Sequence, residues 1–436
     1  MQKLRIENHQ SIRINSMTKD ITETLAYKEW LSKQELSPVD NADIKRRVIA
    51  DLKFSAPMSQ FEYTLYQKWQ SIQAKYGNAD KPTLQKIKRV KRKIWAPENP
   101  DDYLKLEPEL VVVKQEFPVR HVSIWGQERY MFMTNPDPLE EDWTIMSYFV
   151  STARAGGTVG RNIRMIVRDK KTKKYLGILC LSSDFFGLTG RDNAIGWSTK
   201  TRIDENMIQH TGIGSVIVPT QPFGFDYLGG KLLSLLLVSD VVANAWEDIY
   251  GTKLIGVTTT SLYGKEKPKG TQYDGLTYWK NYGFTSGSTV LKPSLETAAE
   301  LKEWMKNNYP EDYFKFYRAQ REGGLPLVRD STERARNFCY KKLGIKDAKS
   351  DHNRGIYFSR LYKNSFEFLR KEITNTNELK PGFDNSVDSL VDVWKTRHLK
   401  KRPANLAKDN RFRTDVEFYD ELTRLSWDQT KERYLR

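Results

Sequence analysis

Apolar residues recur every three to four positions through the first hundred residues and again beyond residue 293, whereas between these regions they gather in short β-branched and aromatic runs parted by turn residues. The first periodicity is that of helices with one buried stripe, the second that of strands. Ser37-Pro38 opens a helix that reaches about Leu52; Ser59 caps a second, with Phe61, Leu65, Trp69 and Ile72 on one stripe; a third spans 84–95. Pro97 and Pro100 read as a linker. Strands are predicted over 110–113, 121–125, 129–133, 162–167, 175–181, 194–198, 214–218, 254–260 and 288–291, interrupted by helices over 140–154, 230–250 and 271–282. Helices over 295–308, 331–343, 356–370, 385–394 and 414–436 follow. The pattern predicts an α/β fold: a helical, basic N-terminal region (1–100), an α/β core with a mixed sheet (105–295) and a helical C-terminal region (296–436).

A chain of 436 residues exceeds what one hydrophobic core serves well, so more than one unit is expected. The 71 Lys and Arg residues outnumber the 55 Asp and Glu residues, and a net charge of +16 concentrates polyanions. That field points to a nucleic acid, DNA in the first place; the plainer reading is that charge only keeps the protein in solution. Two basic runs would carry the contact. One holds Lys88, Arg89, Lys91 and Arg92 on the third helix, and the other, 395–413, holds Lys400, Lys401 and Arg402 with His398 and Phe412 interleaved. Arg191, Trp197 and Arg202 form a further constellation, an indole beside guanidiniums that could stack a base and hold its phosphate, or equally a packed Trp with solvated arginines. The N-terminus has no apolar stretch of a secretory signal, the apolar run 232–238 is too short to span a bilayer, and the two cysteines make no disulfide framework. A cytoplasmic protein without membrane contact is expected. No signal sets an oligomeric state.

Chemistry concentrates where the strand 214–218 leads through a loop into the helix from Gly230. Such a junction aims unpaired N–H groups and the helix dipole at one point, a general anion site that Gln221, Gly224, Gly229, Gly230 and Lys231 would line. Paired glycines can also be a tight entry to a buried helix. The spacing is not that of a nucleotide-binding P-loop, because Gly230 follows Gly229 and Leu232 follows Lys231. The five histidines are scattered and no acidic cluster stands out, so no metal site is predicted.

The segment Gln221-Pro222-Phe223-Gly224-Phe225-Asp226 resembles the pyrophosphate loop of GNAT acyltransferases, and Tyr278, Tyr282, Gly283 and Phe284 resemble the end of that fold's acyl-CoA half. Ile195-Gly196-Trp197-Ser198, Arg202, Gly230-Lys231-Leu232-Leu233, Trp246, Thr259-Thr260-Ser261-Leu262-Tyr263-Gly264 and Gly283-Phe284-Thr285, followed by Arg354-Gly355-Ile356-Tyr357, resemble the DruA family of the Druantia anti-phage defence system. The likeness runs from about 164 to 370. The layout is also similar to Mom-type DNA-modifying acyltransferases. These resemblances imply a GNAT-like core, acetyl-CoA or another acyl-CoA as cofactor, and a DNA-associated acyltransferase-like protein in DNA modification or phage–host conflict. Ser261, Tyr263, Tyr273 and Tyr282 would then be candidates for the reacting cleft, although tyrosines at such spacing also pack as core. Asp226 sits where a small residue is expected, and a carboxylate repels a pyrophosphate. The alternative is therefore a non-catalytic nucleic-acid-binding protein with a degenerate GNAT-like core; a nuclease is a third reading.

Overall fold

A computed structural model of the chain describes residues 25–113, 119–122, 128–131, 138–150, 160–261, 270–285, 289–318, 331–346, 349–350 and 353–435. It divides into two units, residues 1–56 with 291–348, and residues 57–290 with 349–436.

The first unit is helical among the described residues. Asp40 accepts the Ala42 N–H at the start of Asn41–Ser55, and Ser294 accepts the Thr297 N–H at the start of Leu295–Asn308. These caps satisfy backbone donors that a helix start leaves open. Inside, Trp30 lies against Phe314 and Tyr313 with ring centroids 5.4 and 5.8 Å apart, while the Trp304 indole donates to Asn41 Oδ1 at 3.0 Å.

The second unit holds a seven-stranded sheet. Its strands are β1 (Pro108–Val112), β2 (Asn162–Asp169), β3 (Tyr175–Ser183), β4 (Thr211–Pro219), β5 (Gly256–Thr260), β6 (Lys280–Phe284) and β7 (Gly355–Arg360), ordered β1-β2-β3-β4-β5-β7-β6. All neighbours are antiparallel except β4 and β5. The fold is thus the expected α/β type with a mixed sheet and helical terminal regions. Side chains alternate across β2: Ile163, Met165 and Val167 join the core under the helices Gly229–Leu236 and Asp240–Tyr250. Arg164 between them faces the other way, its guanidinium 4.9 Å from the Trp143 ring in the helix Pro138–Phe149. In the N-terminal part of this unit, Ser59 caps the helix Gln60–Tyr76 as expected, but Phe61 is exposed while Leu65 and Ile72 are buried.

Five expected elements differ. Of the helix expected over 414–436, only a short 3-10 turn at Tyr419–Thr423 and the α-helix Trp427–Tyr434 form. The long helix over 230–250 is two, parted at Leu237–Ser239, where tight turns close from Val238 to Leu235 and from Ser239 to Leu236. The span 194–198 is no strand: Ala194 and Ile195 close the helix Thr189–Ile195, which Gly196 ends at φ +79°. The span 271–282 forms turns and then β6, because Asp274 accepts the Thr271 N–H and Gly275 takes φ +74°. The span 356–370 begins as the buried strand β7 and becomes helical only at Ser365–Leu369. No helix among the described residues is long and apolar enough to cross a membrane.

Candidate nucleic-acid interface and the strand fork

β4 and β5 pair only over Thr211–Gly256, Gly212–Val257 and Ile213–Thr258. Beyond these pairs the carboxyl ends diverge, and the β3 pairing of β4 steps from Val216 to Gly214, leaving Ser215 as an extra residue in a bulge. A parallel pair that opens at its carboxyl end, followed by a helix, is where α/β sheets hold ligands. Here residues 271–274 reach into the fork. Gln272 Nε2 donates to Ile217 O at 3.3 Å and to the Tyr273 hydroxyl at 3.0 Å; that hydroxyl is 3.2 Å from Thr259 Oγ1, which donates to Gly214 O at 3.1 Å. The Lys231 ammonium donates to Asp274 O. Burial lowers its pKa.

The glycines pack rather than open a cradle. A side chain on Gly229 would run into the buried Phe223 ring, and a Cβ on Gly230 would lie 2.5 Å from Gln272 Oε1. Gln221 Oε1 accepts the Phe225 N–H at 3.0 Å and an Arg413 Nη2 at 3.3 Å, and the Gly224 N–H donates to Thr220 O at 2.7 Å. The expected reacting residues fall in separate places. Ser261 is buried at the β5–β7 seam, where the Gly355 N–H donates to its Oγ at 3.3 Å. Tyr273 is buried between Trp279 and Tyr357, at 5.5 and 4.9 Å, and desolvation raises its pKa. Tyr282 packs near Phe358 and Phe366, and burial raises its pKa too. Tyr263 lies outside the described residues.

The C-terminal basic run folds onto the loop that follows β4. Trp394 donates its indole N–H to Tyr227 O at 2.9 Å and packs on Phe223 at 5.6 Å, which brings the segment after it over residues 221–226. Arg402 Nε donates to Phe225 O at 2.9 Å, and the guanidiniums of Arg402, Arg411 and Arg413 lie 4.9, 5.9 and 4.5 Å from the Phe225 ring centroid. Asp226, fully buried, turns inward: its Oδ2 accepts the Arg413 N–H at 2.9 Å and its Oδ1 is 3.6 Å from Arg413 Nε. Burial raises its pKa, against the pull of Arg413 and Arg402. Arg397, Lys400, Lys401, Lys408 and Arg411 are exposed, and none has an ion-pair partner among the described residues. Two features that the sequence presented as separate sites, the loop and the basic run, are one surface.

The other basic constellations are committed internally. On the helix Lys81–Lys93, Lys86 pairs with Glu141 at 2.6 Å, Arg89 with Glu141 and Asp142 at 3.0 and 3.1 Å, Lys91 with Asp420 at 3.0 Å and Lys93 with Asp142 at 2.6 Å. Lys88 and Arg92 remain without ion pairs among the described residues. The expectation that Arg191, Trp197 and Arg202 meet a nucleic acid does not survive. Arg191 is fully buried, 2.6 Å from Asp184 and 2.7 Å from Asp192; Trp197 donates to Leu369 O at 2.6 Å inside a core cluster; and Arg202 is spent on Asp192 at 2.5 Å. Its plainer reading, a packed indole beside solvated arginines, holds for Trp197 but not for the arginines, which Asp184 and Asp192 neutralise below the surface.

Three comparisons place the chain. A family model described as Druantia protein DruA matches residues 143–371, a span that takes in the strand fork and leaves the arginine-rich surface after residue 394 outside it. Druantia protein DruA of Escherichia coli (strain UMEA 4076-1) is 26% identical over 230 residues, 48% of this chain and 54% of that protein. The chain thus spans about half the length of the curated relative it matches. No solved structure matches it. With the family model covering more than half of the chain, the chain belongs to the DruA family.

Proposed function

We propose that this protein serves in anti-phage defence as a nucleic-acid-binding protein, with DNA as the partner and with an α/β core that acts as a scaffold. Family membership supports the defence role. One observation carries the binding role: residues 395–413 hold eight Lys and Arg residues against the single carboxylate of Asp409, and among the described residues only Arg413 is drawn into ion pairs. Unpaired cations are what a polyanion displaces its counterions for. The helix Lys81–Lys93 carries no comparable free run, because four of its seven Lys and Arg residues are paired with carboxylates. Fluorescence anisotropy with a labelled DNA duplex tests the reading. Binding should be strongly weakened in an Arg397→Ala/Lys400→Ala/Lys401→Ala/Lys408→Ala variant and kept in Lys88→Gln/Arg92→Gln. Equal loss in both, or no binding by the wild type, would refute it.

A second reading, a GNAT-like acyltransferase acting on DNA with acetyl-CoA or another acyl-CoA, draws support from the diverging β4–β5 pair and the bulge at Ser215. Against it stand Gln272 and Lys231, whose polar groups are already bound within the fork. Calorimetric titration with acetyl-CoA decides: heat that disappears in Gly230→Asp favours this reading, and no heat removes it.

A further inference from the structure

The structure assigns Arg402 and Arg411, gathered on the Phe225 ring, as a two-pronged clamp for a nucleic-acid phosphate. The inference rests on the nucleic-acid reading above and adds which groups grip, and what they grip.

Arg413 is the anchor. Its N–H and Nε face the buried Asp226, and its fork reaches Glu417 and Gln221. Arg402 gives only Nε to the chain, bonding Phe225 O at 2.9 Å, so its two terminal nitrogens stay uncommitted among the described residues. Arg411 is exposed and commits no side-chain nitrogen to a described residue. Three guanidiniums around one ring repel one another. Phe225, at 4.9 and 5.9 Å from the two open forks, and the fully buried Asp226 carboxylate below them offset that repulsion and hold the forks in place. Planar forks held at fixed positions match the oxygens of a phosphate pairwise, which an ammonium does not. With the arginines over Phe225, the ring serves as their platform and not as a surface for stacking a base. The ligand class is therefore a phosphate of a polynucleotide, either a phosphodiester within the strand or a phosphate at its end.

Substitutions that conserve charge separate this clamp from the general field of the segment. Arg411→Lys alone touches no buried partner, and Arg402→Lys/Arg411→Lys removes both forks while keeping the net charge. Affinities are read by anisotropy at one salt concentration for two oligonucleotides of identical sequence, one with a 5′-phosphate and one with a 5′-hydroxyl. The double variant should bind about tenfold more weakly and Arg411→Lys about threefold. Equal losses on both probes assign the clamp to internal phosphodiesters, and a larger loss on the phosphorylated probe assigns it to the strand end. Phe225→Leu, which keeps every charge, should also weaken binding, and Phe225→Tyr should restore it. Wild-type binding that both Lys variants retain undiminished overturns the clamp while leaving the nucleic-acid reading intact; failure of the wild type to bind either probe overturns that reading itself.

Discussion

Removing Arg191 should damage stability and leave nucleic-acid binding untouched. The guanidinium lies 2.6 Å from Asp184, bonds Asp192 through Nε and Nη2 at 2.9 and 2.7 Å, and bonds Phe185 O at 2.8 Å. In Arg191→Met, Asp192 keeps the Arg202 guanidinium at 2.5 Å and the Leu188 N–H at 2.9 Å. Among the described residues Asp184 keeps only neutral donors, the Thr258 hydroxyl at 2.7 Å and the Phe185 N–H at 2.8 Å, while it stays buried. A buried carboxylate stripped of its cation costs about 3–5 kcal/mol, which for a unit of about 320 residues lowers the melting temperature by roughly 4–7 °C. Adding Asp184→Asn should recover part of the loss, with a coupling of about 1–3 kcal/mol. Thermal unfolding followed by circular dichroism measures both, and anisotropy on the folded variant measures DNA affinity. A melting temperature within about 2 °C of wild type, or a well-folded variant that no longer binds DNA, would refute the structural assignment of Arg191.

Three further outcomes are expected. Burial pushes the Lys68 ammonium down to about 7 from its ordinary 10.5, and its Nζ donates to Ser147 O at 2.6 Å. The unfolded chain therefore holds that proton more tightly than the folded one, so the contribution is least favourable below about pH 7 and improves by up to about 1.4 kcal/mol per pH unit from pH 7 toward 10; Lys68→Met should flatten this rise in urea-denaturation stability. Gly229→Ala forces a methyl against the buried Phe223 ring and should cost about 1–3 kcal/mol in the same assay; an unchanged midpoint would mean that Gly229 is not there for packing. Trp197→Phe deletes the indole donor to Leu369 O and should cost about 1–3 kcal/mol without altering DNA affinity.

A helix start set by local chemistry was legible at Ser59, because a cap lies within three residues of the N–H it satisfies, whereas the helix read from Ser37-Pro38 begins at Asn41 behind Asp40. Elements decided by distant neighbours were not legible. β7 carries an unbroken buried run, Gly355 to Ser359, because it lies between β5 and β6, and a short apolar run reads equally well as a helix. The two glycines at 229 and 230 read as an anion loop or a tight helix entry, and Phe223 and Gln272 decide for close packing. Basic residues looked alike in sequence, yet Arg191 is neutralised by Asp184 seven positions earlier in a fold-dependent pairing, while Arg411 has no such partner among the described residues. The arginine platform could not be read at all from spacing, since Arg402 meets Phe225 across 177 positions. Interleaved aromatics gave the one usable hint, and the aromatic that matters is on the loop and not in the run.

Salt dependence of DNA binding tests the central claim most directly. The slope of log K against log salt concentration, measured for the wild type and for Arg397→Ala/Lys400→Ala/Lys401→Ala/Lys408→Ala, counts the phosphates that these cations neutralise. The account predicts a strongly negative slope for the wild type that becomes shallower by roughly 3–4 in the variant; the same slope in both proteins would contradict it and move the interface away from residues 395–413.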